Sequence, residues 1–246
     1  MRLLQKNLLL LLFASLFAIF GCDKEDVEPK CKNQCTTIKG RLVTNGGNAP
    51  IAKTVVKVDF AYPSMFGSGS YRIKAKTKTD KNGYYELSFY ATDEELIPNS
   101  SGYFGIKYEV DGNKYLDTDN QVGSVVGHIP FDFKRDTTYE MPDFLVPKKA
   151  FIRLNCSNYS QINAQNGDKF GIEFSTKLGV QKTNGTFYTD YTTFLNFNSG
   201  MENILTFAGE QNVYVTTTKT KNGITTTETE TIIIPEGTTH EIVKEF

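Results

Sequence analysis

The residues able to do chemistry are few. The chain of 246 residues has two histidines, His128 and His240, four cysteines at positions 22, 31, 35 and 156, and no tryptophan. Imidazole serves most metal, acid-base and nucleophile-activating sites, and neither histidine has a second ligand or partner near it in sequence. No Gly-x-Ser-x-Gly, His-Glu-x-x-His, phosphate-cradling glycine loop or Cys/His dyad occurs, so no catalytic residue and no cofactor is expected. Asp117-Thr118-Asp119-Asn120 alternates oxygen ligands in the manner of a calcium loop but lacks the later bidentate acid, and reads as an Asx-rich turn. No metal site is expected. Lys and Arg number 27 against 28 Asp and Glu, a formal net charge of -1, which excludes nucleic-acid binding through bulk positive charge.

Cysteine chemistry begins at the N-terminus. Arg2 and Lys6 precede an apolar run from Leu8 to Phe20, interrupted only by Ser15. A membrane span needs roughly 20 apolar residues, so this shorter run reads as a secretory signal over residues 1–21. Its end, Ile19-Phe20-Gly21-Cys22, resembles the lipobox of bacterial lipoproteins. The resemblance implies diacylglycerol on Cys22, cleavage before it, and membrane attachment through the lipid alone. Lys24-Glu25-Asp26 is similar to the export signal that sends some Gram-negative lipoproteins to the outer face of the outer membrane. Asp23 directly after the cysteine would by the enterobacterial rule retain the protein inside, and the complete triplet favours export. Residues 22–35, with Val27-Glu28-Pro29-Lys30 as linker, form the lipidated tether.

With Cys22 acylated, three cysteines allow three pairings. Cys156 shares strand parity with Ile152 and Leu154 and is expected to be a buried free thiol. Cys31 and Cys35 are expected to close a local disulfide, since no further Cys or His lies near enough to complete a tetrahedral metal set.

The rest of the chain consists of short β-rich runs between turn residues, without helical periodicity. Strands are expected over 36–43, 54–62, 71–79, 84–90 and 103–110, the last pairing with 114–116, and 137–146 closes the unit. Val56, Val58 and Phe60 alternate with Lys57 and Asp59, the pattern of a strand half buried in a sandwich.

This stretch resembles the carboxypeptidase regulatory-like domains, which have a transthyretin-like (prealbumin-like) β-sandwich. The likeness lies in Ile38-Lys39-Gly40-Arg41-Leu42-Val43, Ala49-Pro50-Ile51, Val55-Val56-Lys57-Val58 and above all Thr79-Asp80-Lys81-Asn82-Gly83-Tyr84-Tyr85-Glu86-Leu87. It implies a hairpin in which Asp80 and Asn82 cap the turn, Gly83 takes positive φ, and Tyr85 and Leu87 enter the core. Related pilin-type domains form a Lys-Asn/Asp isopeptide bond with the help of a Glu, and Phe89 stands at that position here, so no crosslink is expected.

After Pro147 come further strand runs, with Asn222-Gly223 the strongest hairpin signal of the chain. The fold class is therefore all-β, two consecutive transthyretin-like or Ig-like sandwiches, 36–147 and 148–246, behind a lipoprotein signal peptide. Two segments are candidates for recognition. One is the long aromatic and glycine-rich connection from Phe60 to Tyr71, with Tyr62, Phe66 and Tyr71 as its recognition residues. The other is the set Phe187, Tyr188, Tyr191, Phe194 and Phe197, which a sandwich core would also use.

The reading is a non-enzymatic lipoprotein exposed on the outer membrane, binding or scaffolding a protein or glycan ligand. A fimbrial subunit assembled by strand exchange, with Arg41 as a processing site, and a hydrolase with an unrecognised site are the alternatives.

Overall fold

The computed structural model describes residues 26–62, 70–97, 102–116, 125–128, 133–182, 187–196 and 203–246. The signal segment, Cys22, Lys24, Glu25, Phe66, Phe197 and the 117–120 run lie outside the described residues. In chain order the strands are β1 (Thr36–Thr44), β2 (Ala49–Pro50), β3 (Val55–Tyr62), β4 (Ser70–Lys78), β5 (Tyr84–Phe89), β6 (Tyr103–Glu109), β7 (Val125–His128), β8 (Thr138–Glu140) and β9 (Phe144–Leu145). They continue as β10 (Lys148–Ser157), β11 (Lys169–Gln181), β12 (Phe187–Asn196), β13 (Asn203–Gly209), β14 (Asn212–Lys221), β15 (Ile224–Ile233) and β16 (Thr239–Glu245). The only helical turns among the described residues are short 3-10 segments, so the protein is all-β.

In the first sandwich, an antiparallel sheet ordered β4-β3-β6-β7 faces β1 with its partners β5 and β8. Alternation decides which side chains meet between them: Val56, Val58 and Phe60 of β3, Phe104, Ile106 and Tyr108 of β6, and Tyr85, Leu87 and Phe89 of β5 are all buried in one cluster. The β4–β5 turn is built by Asp80, whose carboxylate accepts the Asn82 and Tyr84 backbone N–H groups at 2.8 and 2.9 Å. Gly83 sits there at φ +81°, and a Cβ would also overlap the Leu42 carbonyl. The cap is thus Asp80 alone among the side chains, while Asn82 contributes backbone groups.

The second sandwich sets β15-β14-β11-β12 against β13-β10-β16. Ala150, Ile152, Leu154, Phe170, Ile172, Phe174, Phe207, Val213 and Val215 fill it. Asn222 and Gly223 both take positive φ, 51° and 78°, the two-residue turn that β14 and β15 require.

Three features depart from the sequence reading. Residues 137–146 form two short strands, β8 and β9, each parallel to β1. Tyr115 bridges Lys148 instead of pairing back onto β6, and Leu116 packs in the second core. Residues 27 and 28, read as linker, lie on the sheet: Val27 forms a parallel bridge with Ile73, and Glu28 N–H donates to the Ile73 carbonyl at 2.9 Å. An edge strand offers unpaired backbone groups, and here the tether takes them.

β9 joins the two sandwiches. Phe144 and Leu145 pair with Leu42 and Val43 on one side and with Val180 and Gly179 on the other, so a single sheet runs from β5 through β1, β9 and β11 to β15.

Candidate functional site

The recognition residues named from sequence separate onto two faces. Tyr62 follows Phe60 on the core side of β3 and packs edge-on against it with ring centroids 4.8 Å apart. Tyr71 is paired with Ala61 and points to the outer face, where it is 64% exposed. Ala61 has Tyr103 on its other side, so Tyr71 and Tyr103 flank it across three strands. Lys107 Nζ lies 5.2 Å from the centre of the Tyr71 ring and 2.8 Å from the buried carboxylate of Asp59. That carboxylate rests over Gly105, where an added Cβ would crowd it at 2.9 Å. The strand pattern shows these positions facing outward, but the partnering of Lys107 depends on which strand lies next to which.

β4 carries an extra residue relative to β3 between Val58 and Asp59, and this bulge places Lys74 inside the protein. Its ammonium, wholly buried, bonds Glu95 Oε2 at 3.0 Å and Glu28 Oε2 at 2.6 Å, and Glu95 is also bonded by Arg72 at 2.8 Å. Buried charge needs such partners, and this cluster is satisfied by structure alone.

A second surface feature lies outside the two segments named as candidates for recognition. On the outer side of β1 and β5, Arg41 donates from Nη1 to Asp143 Oδ2 at 3.3 Å and from Nε to the Asn82 carbonyl at 3.0 Å, and its guanidinium lies 5.3 Å from the centre of the exposed Tyr84 ring. Lys39 and Glu86 form an ion pair at 3.6 Å beside it. These side chains, with Glu140 and Met141, line an open cavity of about 430 Å³. Below it Tyr85 passes so close to Gly40 that a Cβ there would overlap the phenol, and the phenol shares a 2.8 Å hydrogen bond with Tyr108. Burial pushes the Tyr85 pKa up to about 12, against the smaller lowering effect of the Tyr108 bond, which leaves the phenol neutral and poorly suited to proton transfer. Chemically the cleft presents an aromatic face from Tyr84, a cation already neutralised by Asp143, and the carboxylates of Glu86 and Glu140. The sequence signal for it is the outward parity of Lys39, Arg41, Tyr84 and Glu86. Asp143 gives no such signal, because it reaches Arg41 from 102 residues further along the chain.

Cys31 and Cys35 are joined in a disulfide. Cys156 is a free thiol, half-buried at the margin of the second core instead of within it, and burial raises its pKa. Asp26 is exposed. His240 occupies β16 opposite Ile152, and among the described residues no three metal-ligating side chains cluster. At the position of the pilin acid, Phe89 is buried against Phe104 and Phe133.

No protein-family model and no curated protein matches the chain. Among solved structures it is similar to a 9R-lipoxygenase from Cyanothece, with 17% identity over 49% of this chain and 18% of that one at a TM-score of 0.33. It is similar to a streptococcal ancillary pilin, with 12% identity over 87% of this chain and 64% of that one at a TM-score of 0.26. The major pilin of Streptococcus pyogenes gives 12% identity over 88% of this chain and all of that one at a TM-score of 0.24. The chain therefore spans under a fifth of the lipoxygenase and just under two thirds of the ancillary pilin.

Proposed function

We propose that the chain is a non-enzymatic binding module of the outer-membrane surface, anchored through lipid on Cys22 and exported by Lys24-Glu25-Asp26. In this reading residues 1–21 are removed, 22–35 form the tether, 36–147 are a carboxypeptidase regulatory-like sandwich and 148–246 a second sandwich. The observation that carries it is the Arg41/Tyr84 cleft, which lies on the same sandwich to whose β4 edge Val27 and Glu28 fix the tether. The cleft suits a polar ligand, a glycan or an extended peptide, because it offers a ring to stack on and charged groups of both signs. Two measurements test the reading. Mass spectrometry of the membrane-extracted N-terminus should find acyl mass on Cys22, and replacing Lys24, Glu25 and Asp26 by Ala should hide the protein from protease added to intact cells without lowering its amount. A free mature N-terminus elsewhere, or unchanged accessibility, refutes the corresponding half.

A second reading, a polymer-forming subunit, is favoured by β15. That strand is paired along ten residues on its β14 side and, among the described residues, on that side alone. Exposed edges are templates for strand addition. Concentration-dependent assembly that is abolished by a Pro at Thr227 would support it, and a monomer at every concentration would exclude it.

A further inference from the structure

We infer that the end of the first sandwich carrying Tyr71, Tyr90, Ile97 and Tyr103 is a membrane-contact surface, seated on the phospholipid interface that receives the chain's own anchor. This rests on the reading of Cys22 as acylated.

Chain direction is the first ground. Val27 pairs in parallel with Ile73, and Glu28 is held there by its backbone bond to Ile73 and its ion pair with Lys74. In that parallel register Asp26 lies on the side of the start of β4, where Tyr71 lies. Five residue steps separate Cys22 from Val27, a span of at most about 18 Å at full extension. Headgroup layers are roughly 5–8 Å deep, so an anchor on so short a lead leaves this end of the sandwich little room to stand clear of the bilayer.

The second ground is composition. The exposed large apolar side chains of the first sandwich, among the described residues, are Tyr71, Tyr84, Tyr90, Ile97 and Tyr103. All but Tyr84 lie at the end where β3 meets β4 and where the chain crosses from β5 to β6. Cations accompany the rings: Lys107 lies over Tyr71, and Arg135 lies 4.6 Å from the centre of Tyr90 while bonding Asp93. Tyrosines beside long cationic side chains suit the membrane interface, where a ring enters the apolar layer and the polar tip and charge remain among headgroups.

The third ground is what lies at the opposite end. β6 runs from Tyr103 to Glu109, and the chain then delivers Leu116 into the second core while Lys114 accepts the Lys149 N–H at its carbonyl. The second sandwich thus attaches at the far end, and the aromatic end is left for the membrane.

Because the chain has no tryptophan, Tyr71→Trp, Tyr103→Trp and Ile224→Trp each introduce a single reporter, the last at an exposed position on the β14–β15 hairpin. The full lipidated chain is reconstituted into phosphatidylethanolamine and phosphatidylglycerol vesicles, with and without bromine on the acyl chains. The expected result is emission quenched about twofold in Tyr71→Trp and Tyr103→Trp, as for interfacial rings, and unchanged in Ile224→Trp. Acyl mass on Cys22 and co-flotation with the vesicles, but equal emission from all three variants, would overturn the inference alone. Absence of both acyl mass and co-flotation would overturn the anchoring reading and the inference with it.

Discussion

Gln211 and Gly46 meet across the junction of the two sandwiches: Gln211 Oε1 accepts the Gly46 N–H at 3.2 Å, while its Nε2 donates to Thr176 Oγ1 at 2.8 Å and to the Lys177 carbonyl at 2.7 Å. One buried amide from the β13–β14 turn is thus satisfied from both bodies, beside the strand that both share. A second tie across the junction is the ion pair of Lys114 with Glu236 at 3.8 Å; Glu236 also bonds Lys148 of its own sandwich at 2.6 Å, and its pKa is lowered, chiefly by that hydrogen bond. With Lys149 also bonded to the Gly112 carbonyl, the link resists bending in more than one direction.

Gln211→Ala should therefore lower the stability of the whole chain by about 1–3 kcal/mol, since it removes the amide's bonds to Gly46, Thr176 and Lys177 together. Calorimetry should show one transition in the unmodified protein and a midpoint lower by several degrees in the variant. An unaltered midpoint would mean that the amide contributes nothing to the coupling.

Much of this architecture is legible in the sequence. Strand alternation locates β3, β5 and β6 to within a residue or two, because each turns an alternating apolar set into the core; Lys57 and Asp59, the polar residues of β3, are buried as well, under ion pairs with Glu109 and Lys107. The turns at Asp80–Gly83 and Asn222–Gly223 are legible because glycine and asparagine adopt the positive φ values found there more readily than other residues. β8 and β9 are not, since two- and three-residue strands leave no period and Pro142 divides them. The bulge that buries Lys74 is equally silent: a lysine between Ile73 and Ala75 reads as the outward residue of an ordinary strand. The Arg41/Tyr84 cleft is half legible, its β1 and β5 side by parity and its Asp143 side only through the parallel β1–β9 pairing.

The Lys74 cluster gives an ordered pair of effects. Glu95→Gln, which removes a wholly buried charge partner, should cost about 3–5 kcal/mol. Glu28→Gln should cost less, because Glu28 is partly solvated, and should release the tether. Hydrogen exchange at the Glu28 amide should then accelerate while β3 remains protected. Equal losses in the two variants, or a tether still protected in Glu28→Gln, would contradict the arrangement.

Alkaline pH should act through the Tyr85–Tyr108 pair. Burial raises both phenols, Tyr85 to about 12, so between the ordinary tyrosine value near 10 and that limit the folded state keeps protons that the unfolded chain gives up. Stability from Tyr85 is intact below about pH 10 and is lost as the pH rises toward 12, a total of about 3 kcal/mol. Denaturant unfolding at about pH 9 and about pH 11 measures it. Tyr85→Phe should show a smaller loss between the two, and an equal loss would assign the alkaline sensitivity to other groups.

The separation of Tyr62 from Tyr71 decides how any truncation of the aromatic connection must be interpreted. Tyr62→Ala removes a ring packed on Phe60 and should destabilise the first sandwich by about 2–4 kcal/mol, less than a fully buried aromatic because Tyr62 is only half-buried. Tyr71→Ala removes an exposed ring whose folded-state contact is a cation–π pair with Lys107, and should change stability by less than about 1 kcal/mol. Loss of attachment or recognition in Tyr71→Ala with unfolding unchanged would assign that ring to the surface function. The same loss in Tyr62→Ala would be explained by instability alone. If Tyr71→Ala instead unfolds as readily as Tyr62→Ala, the outer face of β3 and β4 is part of the packed core, and the placement of both rings is wrong.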